Sequence, residues 1–115
     1  MAYVDGFVAA VSDGNREVYR AHAERMAEIM KRFGALKCVE TWGDDVPEGQ
    51  LTSFTMAVKR EPGESVVFSW VWWPDKAARD AGWKEMMADQ EMTAEPMPLD
   101  GKSMIYGGFE VIVDL

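Results

Sequence analysis

The sequence predicts an α+β fold, an antiparallel sheet with two helices on one face in the β-α-β-β-α-β order of ferredoxin-like domains. Three observations predict it. Four segments are dense in β-branched and aromatic residues, two segments among them repeat apolar residues at helical spacing, and Gly, Pro, Asn and Asp mark the boundaries.

The first strand is expected over Tyr3–Val11, closed by the turn residues Ser12-Asp13-Gly14-Asn15. A helix follows over 16–33, with Tyr19, Ala23, Met26, Ile29, Met30 and Phe33 forming one stripe and Gly34 placed to end it. Leu36–Trp42 reads as the second strand and stops at Gly43-Asp44-Asp45. The stretch 46–64 is irregular, and its segment Phe54–Val58 fits a short strand or a helical turn equally well. The run SVVFSWVWW, Ser65–Trp73, carries the strongest strand signal in the chain. Pro74 ends it, Asp75 is placed to cap a helix, and Lys76–Met87 is that helix. A loop over 92–102, rich in Pro and Gly, precedes a final strand at Ser103–Val113.

With 115 residues the chain has the size of a single domain, 1–115, able to bury a core without staples. A single cysteine, Cys38, excludes an intrachain disulfide and a thiolate metal cluster, which fits a reducing compartment. Asp5 interrupts the apolar start, no basic segment precedes it, and no run approaches the ~20 apolar residues of a membrane span, so a cytoplasmic protein is expected. Twelve Lys and Arg against twenty Asp and Glu give a net charge of −8, with no basic patch. Such a surface repels phosphate, so neither nucleic acid nor an anionic membrane is an expected partner.

The third strand predicts a second copy of the chain as partner. Val66, Phe68, Trp70 and Trp72 point to one side of it and Val67, Ser69, Val71 and Trp73 to the other, so both faces need covering. Two helices cover one face, and a homodimer through the other is the simplest remaining cover. The alternative cover is the 46–64 loop. The uniformly apolar face, with Val4, Gly6, Val8, Val39, Trp70, Trp72, Gly107 and Phe109, is assigned to the helices. The mixed face, with Asp5, Phe7, Cys38, Glu40, Ser69, Tyr106 and Glu110, is assigned to the subunit contact.

Phosphate-binding glycine loops, nucleophile elbows, His-Glu-x-x-His and dinucleotide fingerprints are absent. The lone histidine, His22, falls in the apolar stripe one turn from Tyr19 and Met26, so it is the only candidate base, with a satisfied core histidine as the plainer reading. Five tryptophans in a chain this short suit core, interface or an aromatic ligand site. Tyr19, His22, Trp42, Trp70 and Trp72 are the candidate ligand-binding residues. Asp44-Asp45 reads as a solvated turn, and no metal or cofactor is expected.

Six blocks carry a resemblance over essentially the whole chain: YVDGF at 3–7, YRAHAE at 19–24, ETWGDDVPEG at 40–49, GESVVFSW at 63–70, WPDKAARDAG at 73–82 and MPLDGKSMIYGGFE at 97–110. In these the chain resembles DUF1428, a bacterial family of uncharacterised proteins. It departs at Thr55, where the family pattern has a proline. The resemblance implies the dimeric α/β-barrel superfamily, in which two ferredoxin-like sheets pack face to face. It implies no catalytic residue.

Three function classes follow. One is a homodimer holding a small apolar or aromatic molecule between helices and sheet, lined by Tyr19, His22, Trp42, Trp70 and Trp72. The second is a cofactor-independent oxygenase- or isomerase-like enzyme using His22 as base, with a tryptophan or Tyr106 orienting substrate. The third is a structural or stress-related dimer without a ligand. A second polar group converging on His22 favours the enzyme, open volume favours the binder, and a filled core disfavours both.

Overall fold

The computed structural model describes all 115 residues. Strand β1 (Tyr3–Ser12) leads through one 3-10 turn into α1 (Arg16–Arg32), followed by β2 (Lys37–Trp42), the short helix α2 (Phe54–Ala57), and β3 (Glu64–Trp73). Then come α3 (Lys76–Met87), a single turn α4 (Gln90–Thr93), and β4 (Ile105–Glu110). The strands form one sheet in the order β2-β3-β1-β4, and every neighbouring pair is antiparallel. This is the predicted α+β, ferredoxin-like architecture.

Local chemistry explains the boundaries. α1 buries Tyr19, His22, Ala23, Met26 and Ile29 along one stripe and ends where Gly34 takes φ +112°, a conformation side chains resist. The Asp75 carboxylate accepts a 2.8 Å bond from Ala78 N–H and caps α3. Ser53 does the same for α2 through Met56 N–H, so the undecided segment Phe54–Val58 is a helical turn. α4 runs into the segment expected to be loop, overlapping it at Met92 and Thr93, and is capped by Asp89, whose side chain accepts from Met92 N–H.

Register divides the side chains between two faces. Asp5 pairs with Val71, Phe7 with Ser69 and Ala9 with Val67, so these residues share a face with Tyr3, Trp73, Cys38, Glu40, Trp42 and Tyr106. The helices pack on this face: Ala35, Val71, Trp73 and Met86 form a buried cluster with Phe7, Met30, Phe33, Cys38 and Trp83 against it. The sequence-based assignment of faces is therefore reversed. The mixed face carries the helices, and the uniformly apolar face of Val4, Gly6, Val39, Trp70, Trp72, Gly107 and Phe109 does not. The 46–63 segment covers one end of that second face, where Val58 packs with Val8, Ala10 and Val66. Beyond it, Phe68, Ile105 and Phe109 are 43%, 45% and 60% exposed.

The polar groups on the helix face are there because they find partners. Asp5, 4% exposed, accepts from Trp73 Nε1 at 2.9 Å, Trp83 Nε1 at 2.8 Å and Arg79 Nη2 at 2.8 Å. One carboxylate thus joins β1, β3 and α3, and two of the five tryptophans owe their orientation to it. A buried ion so saturated with donors is tolerable, whereas an unpaired one is not.

Gly82 lets α3 approach the sheet. A Cβ there would lie 2.6 Å from the Trp73 ring and 2.8 Å from the Phe33 carbonyl oxygen. Alanine favours helix by about 1 kcal/mol over glycine, but this clash involves backbone and a fully buried indole. Gly82→Ala should therefore lose about 1–2 kcal/mol net in urea unfolding; a stabilised variant would show that α3 is free to shift.

The molecule is a slab, 37 × 35 × 22 Å. Its accessible surface is 7646 Å², against about 6,300 Å² for a compact monomer of this mass. Its radius of gyration of 14.7 Å also exceeds the ~13 Å of a compact domain this long. No helix is long and apolar enough to cross a membrane.

Candidate functional site

A group of titratable side chains lies where α1 crosses β2. Tyr19 and His22 come one turn apart on the buried stripe of α1, and Glu40 rises from β2 opposite Ser69 on β3. Tyr19 Oη donates to Glu40 Oε1 at 2.5 Å. The Tyr19 ring meets Trp42 edge-on, centroids 6.4 Å apart, and Arg16 stacks over the outer side of that indole. Leu99 and Met104, from the segment after α4, pack against the same cluster.

His22, 8% exposed, faces Glu95, with Nδ1 3.1 Å from Oε1. Arg25 holds the same carboxylate from the other side, its Nε donating to Oε2 at 2.9 Å and its Nη2 to Oε1. Arg32 adds a bond to Glu91. The 88–104 segment is thus strapped to α1 by two ion pairs and two apolar side chains.

The electrostatics of the two carboxylates differ in sign. The bonds from Arg25 and His22 hold Glu95 down to about 2. Glu40 lies at an open sheet edge, yet its carboxyl rests against the buried Tyr19 ring, and desolvation raises its pKa despite the opposing bonds from Tyr19 and Ser69 and the nearby His22. Desolvation and the Glu40 charge together push the Tyr19 phenol above its ordinary range. Every buried side-chain nitrogen and oxygen has a hydrogen-bond partner. What the cluster offers chemically is a carboxyl of raised pKa coupled to a phenol, with a histidine beside it.

Linkage gives each carboxylate its pH signature. Glu40 has a raised folded pKa, so the native state gains from its proton, and that gain fades as pH rises through the window above its unfolded value near 4.5. Glu40→Gln keeps an acceptor for Tyr19 without the charge. It should be more stable than the parent at pH 7, with the difference closing below pH ~4.5; a gap independent of pH would show that Glu40 carries no linked proton. Glu95 has a depressed pKa, so its contribution is present above pH ~4.5 and lost as pH falls through about 2. Glu95→Ala should loosen the strap, read as faster amide exchange over 88–104, while global stability changes little, as for exposed ion pairs. Unchanged exchange would mean that the Arg32–Glu91 pair with Leu99 and Met104 holds the strap without Glu95.

The predicted site residues do not form one site. Tyr19, His22 and Trp42 lie together on the helix face. Trp70 and Trp72 lie on the opposite face, across from Gly6 and Val4 of β1, and cannot line a space between helices and sheet. That space is taken by core: Trp73 and Met86 are fully buried and Val71 is 4% exposed. An open hollow of about 190 Å³ occurs elsewhere, bordered by Asp44, Glu48, Thr55, Arg60 and Glu64, and none of the five residues reaches it. Thr55 is buried there and donates to Glu48.

Sequence reasoning missed Glu40 and Glu95 as members of the cluster. Glu40 left a signal, an acid on the same side of its strand as Cys38 and Trp42. Glu95 left none, since its contacts with Arg25 and His22 span seventy or more residues. Cys38 sits half-buried on the helix face, and burial pushes its thiol pKa up, away from reactivity.

The fold places the chain among ferredoxin-like α+β proteins. Over its full length it resembles a dimeric ferredoxin-like protein from an uncultured marine organism, with a TM-score of 0.63 at 12% identity over 99% of this chain and 98% of that one. The family model DUF1428, protein of unknown function, matches residues 2–101. The chain is 53% identical to the uncharacterised protein YbaA of Escherichia coli K12 over 99% of both chains, and equally to YbaA of Shigella flexneri. It belongs to the DUF1428 family.

Proposed function

We propose that the chain works as a cytoplasmic homodimer whose two sheets meet through the face that the helices leave bare, and that the aromatic floor of this face receives a small apolar or aromatic molecule. The bare face carries the reading. Val4, Val39, Phe68, Trp70, Trp72, Ile105 and Phe109 form a continuous apolar surface with Lys37 and Glu64 as the charged residues at its ends. The surface in excess of a compact monomer is larger than the ~800 Å² per partner that a stable interface buries. The structural relative from the marine organism is described as dimeric, which supports the same arrangement here. The ligand moves with the tryptophans: Trp70 and Trp72 present indole to the space between sheets, a setting suited to flat apolar molecules. A net charge of −8 disfavours nucleic acid and anionic membranes as partners.

A second reading, acid–base catalysis, has one observation in its favour. Glu40 combines a raised pKa with a 2.5 Å bond to Tyr19 beside His22, the convergence of polar groups that an enzyme of this kind needs. In that reading Glu40 is the proton carrier and His22 a positioning residue held by Glu95.

Native mass spectrometry of the purified protein at low activation tests both parts. A dimer with a reproducible added mass is the expected spectrum. A dimer without adduct would remove the ligand and leave a structural dimer, and a monomer would overturn the reading.

A further inference from the structure

We infer that residues Val111–Leu115 form an arm that each copy of the chain lays on the other; the inference rests on the homodimer proposed above. Strand β4 stops pairing early. Glu110 is opposite Tyr3, the Val111 N–H donates to the Ala2 carbonyl at 3.1 Å, and no further rung follows. Yet the sequence beyond is Val-Ile-Val, the β-branched chemistry of a strand. These residues have no cover within the subunit: Ile112, Val113 and Leu115 are 84%, 70% and 115% exposed. Three such side chains in five consecutive residues mark a contact surface, whereas isolated exposed apolar residues need no explanation.

Geometry points the arm at the second copy. Ile105, Gly107 and Phe109 lie on the bare face, and the alternation continued along the chain puts Val111, Val113 and Leu115 on the same side. Its own sheet has no groove left for it there. The Phe109 ring already lies over the glycine pair, 3.5 Å from the Cβ position of Gly6 and 3.6 Å from that of Gly107. Five extended residues span about 17 Å, enough to cross the ~14 Å between the outer strands of a four-stranded sheet. In a two-fold dimer each arm buries its own apolar side chains and covers part of its partner, which doubles the gain.

Sedimentation equilibrium on three proteins tests the arm: the parent, a chain ending at Val111, and Val113→Asp. Circular dichroism first confirms that each variant is folded. Both variants should remain folded and dimerise at least tenfold more weakly than the parent, and the 112–115 amides of the parent should lose exchange protection on dilution. A parent dimer with unchanged variants would overturn the arm and leave the sheet-face dimer standing. A monomeric parent would overturn both. Protection of 112–115 that survives dilution to monomer would show the arm folded on its own subunit.

Discussion

Asp5→Ala should lower the unfolding free energy by about 3–4 kcal/mol, read from urea denaturation at neutral pH. The Asp5 carboxylate is 4% exposed and takes bonds from both Trp73 and Trp83 indoles and from Arg79. Alanine leaves two indole N–H groups without an acceptor, each costing about 1–3 kcal/mol where water cannot reach. It also leaves a guanidinium without its counter-ion. The Arg79 side chain is one-quarter exposed and can partly rehydrate, which holds the loss below the upper end for a broken buried pair. Asp5→Asn retains an acceptor oxygen but not the charge and should fall between the two. A loss below ~1 kcal/mol for the alanine variant would mean that α3 holds its place by apolar packing alone.

The second large effect is expected at Trp70. It lies in the middle of the bare face, between Gly6 of β1 and Val39 of β2, with its ring 5.6 Å from that of Phe68. In the proposed dimer, Trp70→Glu would place a carboxylate within an apolar contact in each subunit, two like charges in one interface. Desolvation and like-charge repulsion should then weaken dimerisation by at least 100-fold, about 2.7 kcal/mol. The fold should survive, because Trp70 points away from the Trp73–Met86 core. Trp73→Ala is the matching control: it should damage stability by about 3–5 kcal/mol and act on the dimer only through unfolding. Equal dimerisation of the parent and Trp70→Glu would place the interface elsewhere.

These two tryptophans, three residues apart, show what was legible in the sequence. Alternation along SVVFSWVWW assigned Trp70 and Trp73 to opposite sides of β3, and the register confirms the split. Which side carries the helices was not legible. The more apolar face was expected to hold them, a rule that serves a monomer whose other face is wet. Here the helix face tolerates Asp5 because Arg79 and two indoles, 68 to 78 residues away, converge on it, and it tolerates Glu40 because Tyr19 does. Periodicity reports which residues share a face, and long-range polar pairing decides where that face goes. The last strand fails for a related reason. Ser103–Val113 has strand chemistry, but a strand needs a neighbour, and β1 supplies one only as far as Glu110. Helices α1 and α3 were legible because their signals are local: a stripe, a capping Asp75 and a terminating Gly34.

The candidate site was legible only in part. Tyr19 and His22 lie one turn apart on the buried stripe of α1 as their spacing suggested, and Trp42 packs edge-on against Tyr19, while Trp70 and Trp72 were grouped with them through the reversed faces. The partners that give the cluster its chemistry, Glu40 and Glu95, are set by tertiary contacts.

The mass of the native protein in solution, measured by light scattering across a hundredfold dilution, tests the homodimer most directly. Twice the 12.9 kDa chain mass at micromolar concentration is the predicted result. A single species of 12.9 kDa throughout would contradict it, and the bare aromatic face would then be open to water in the working protein.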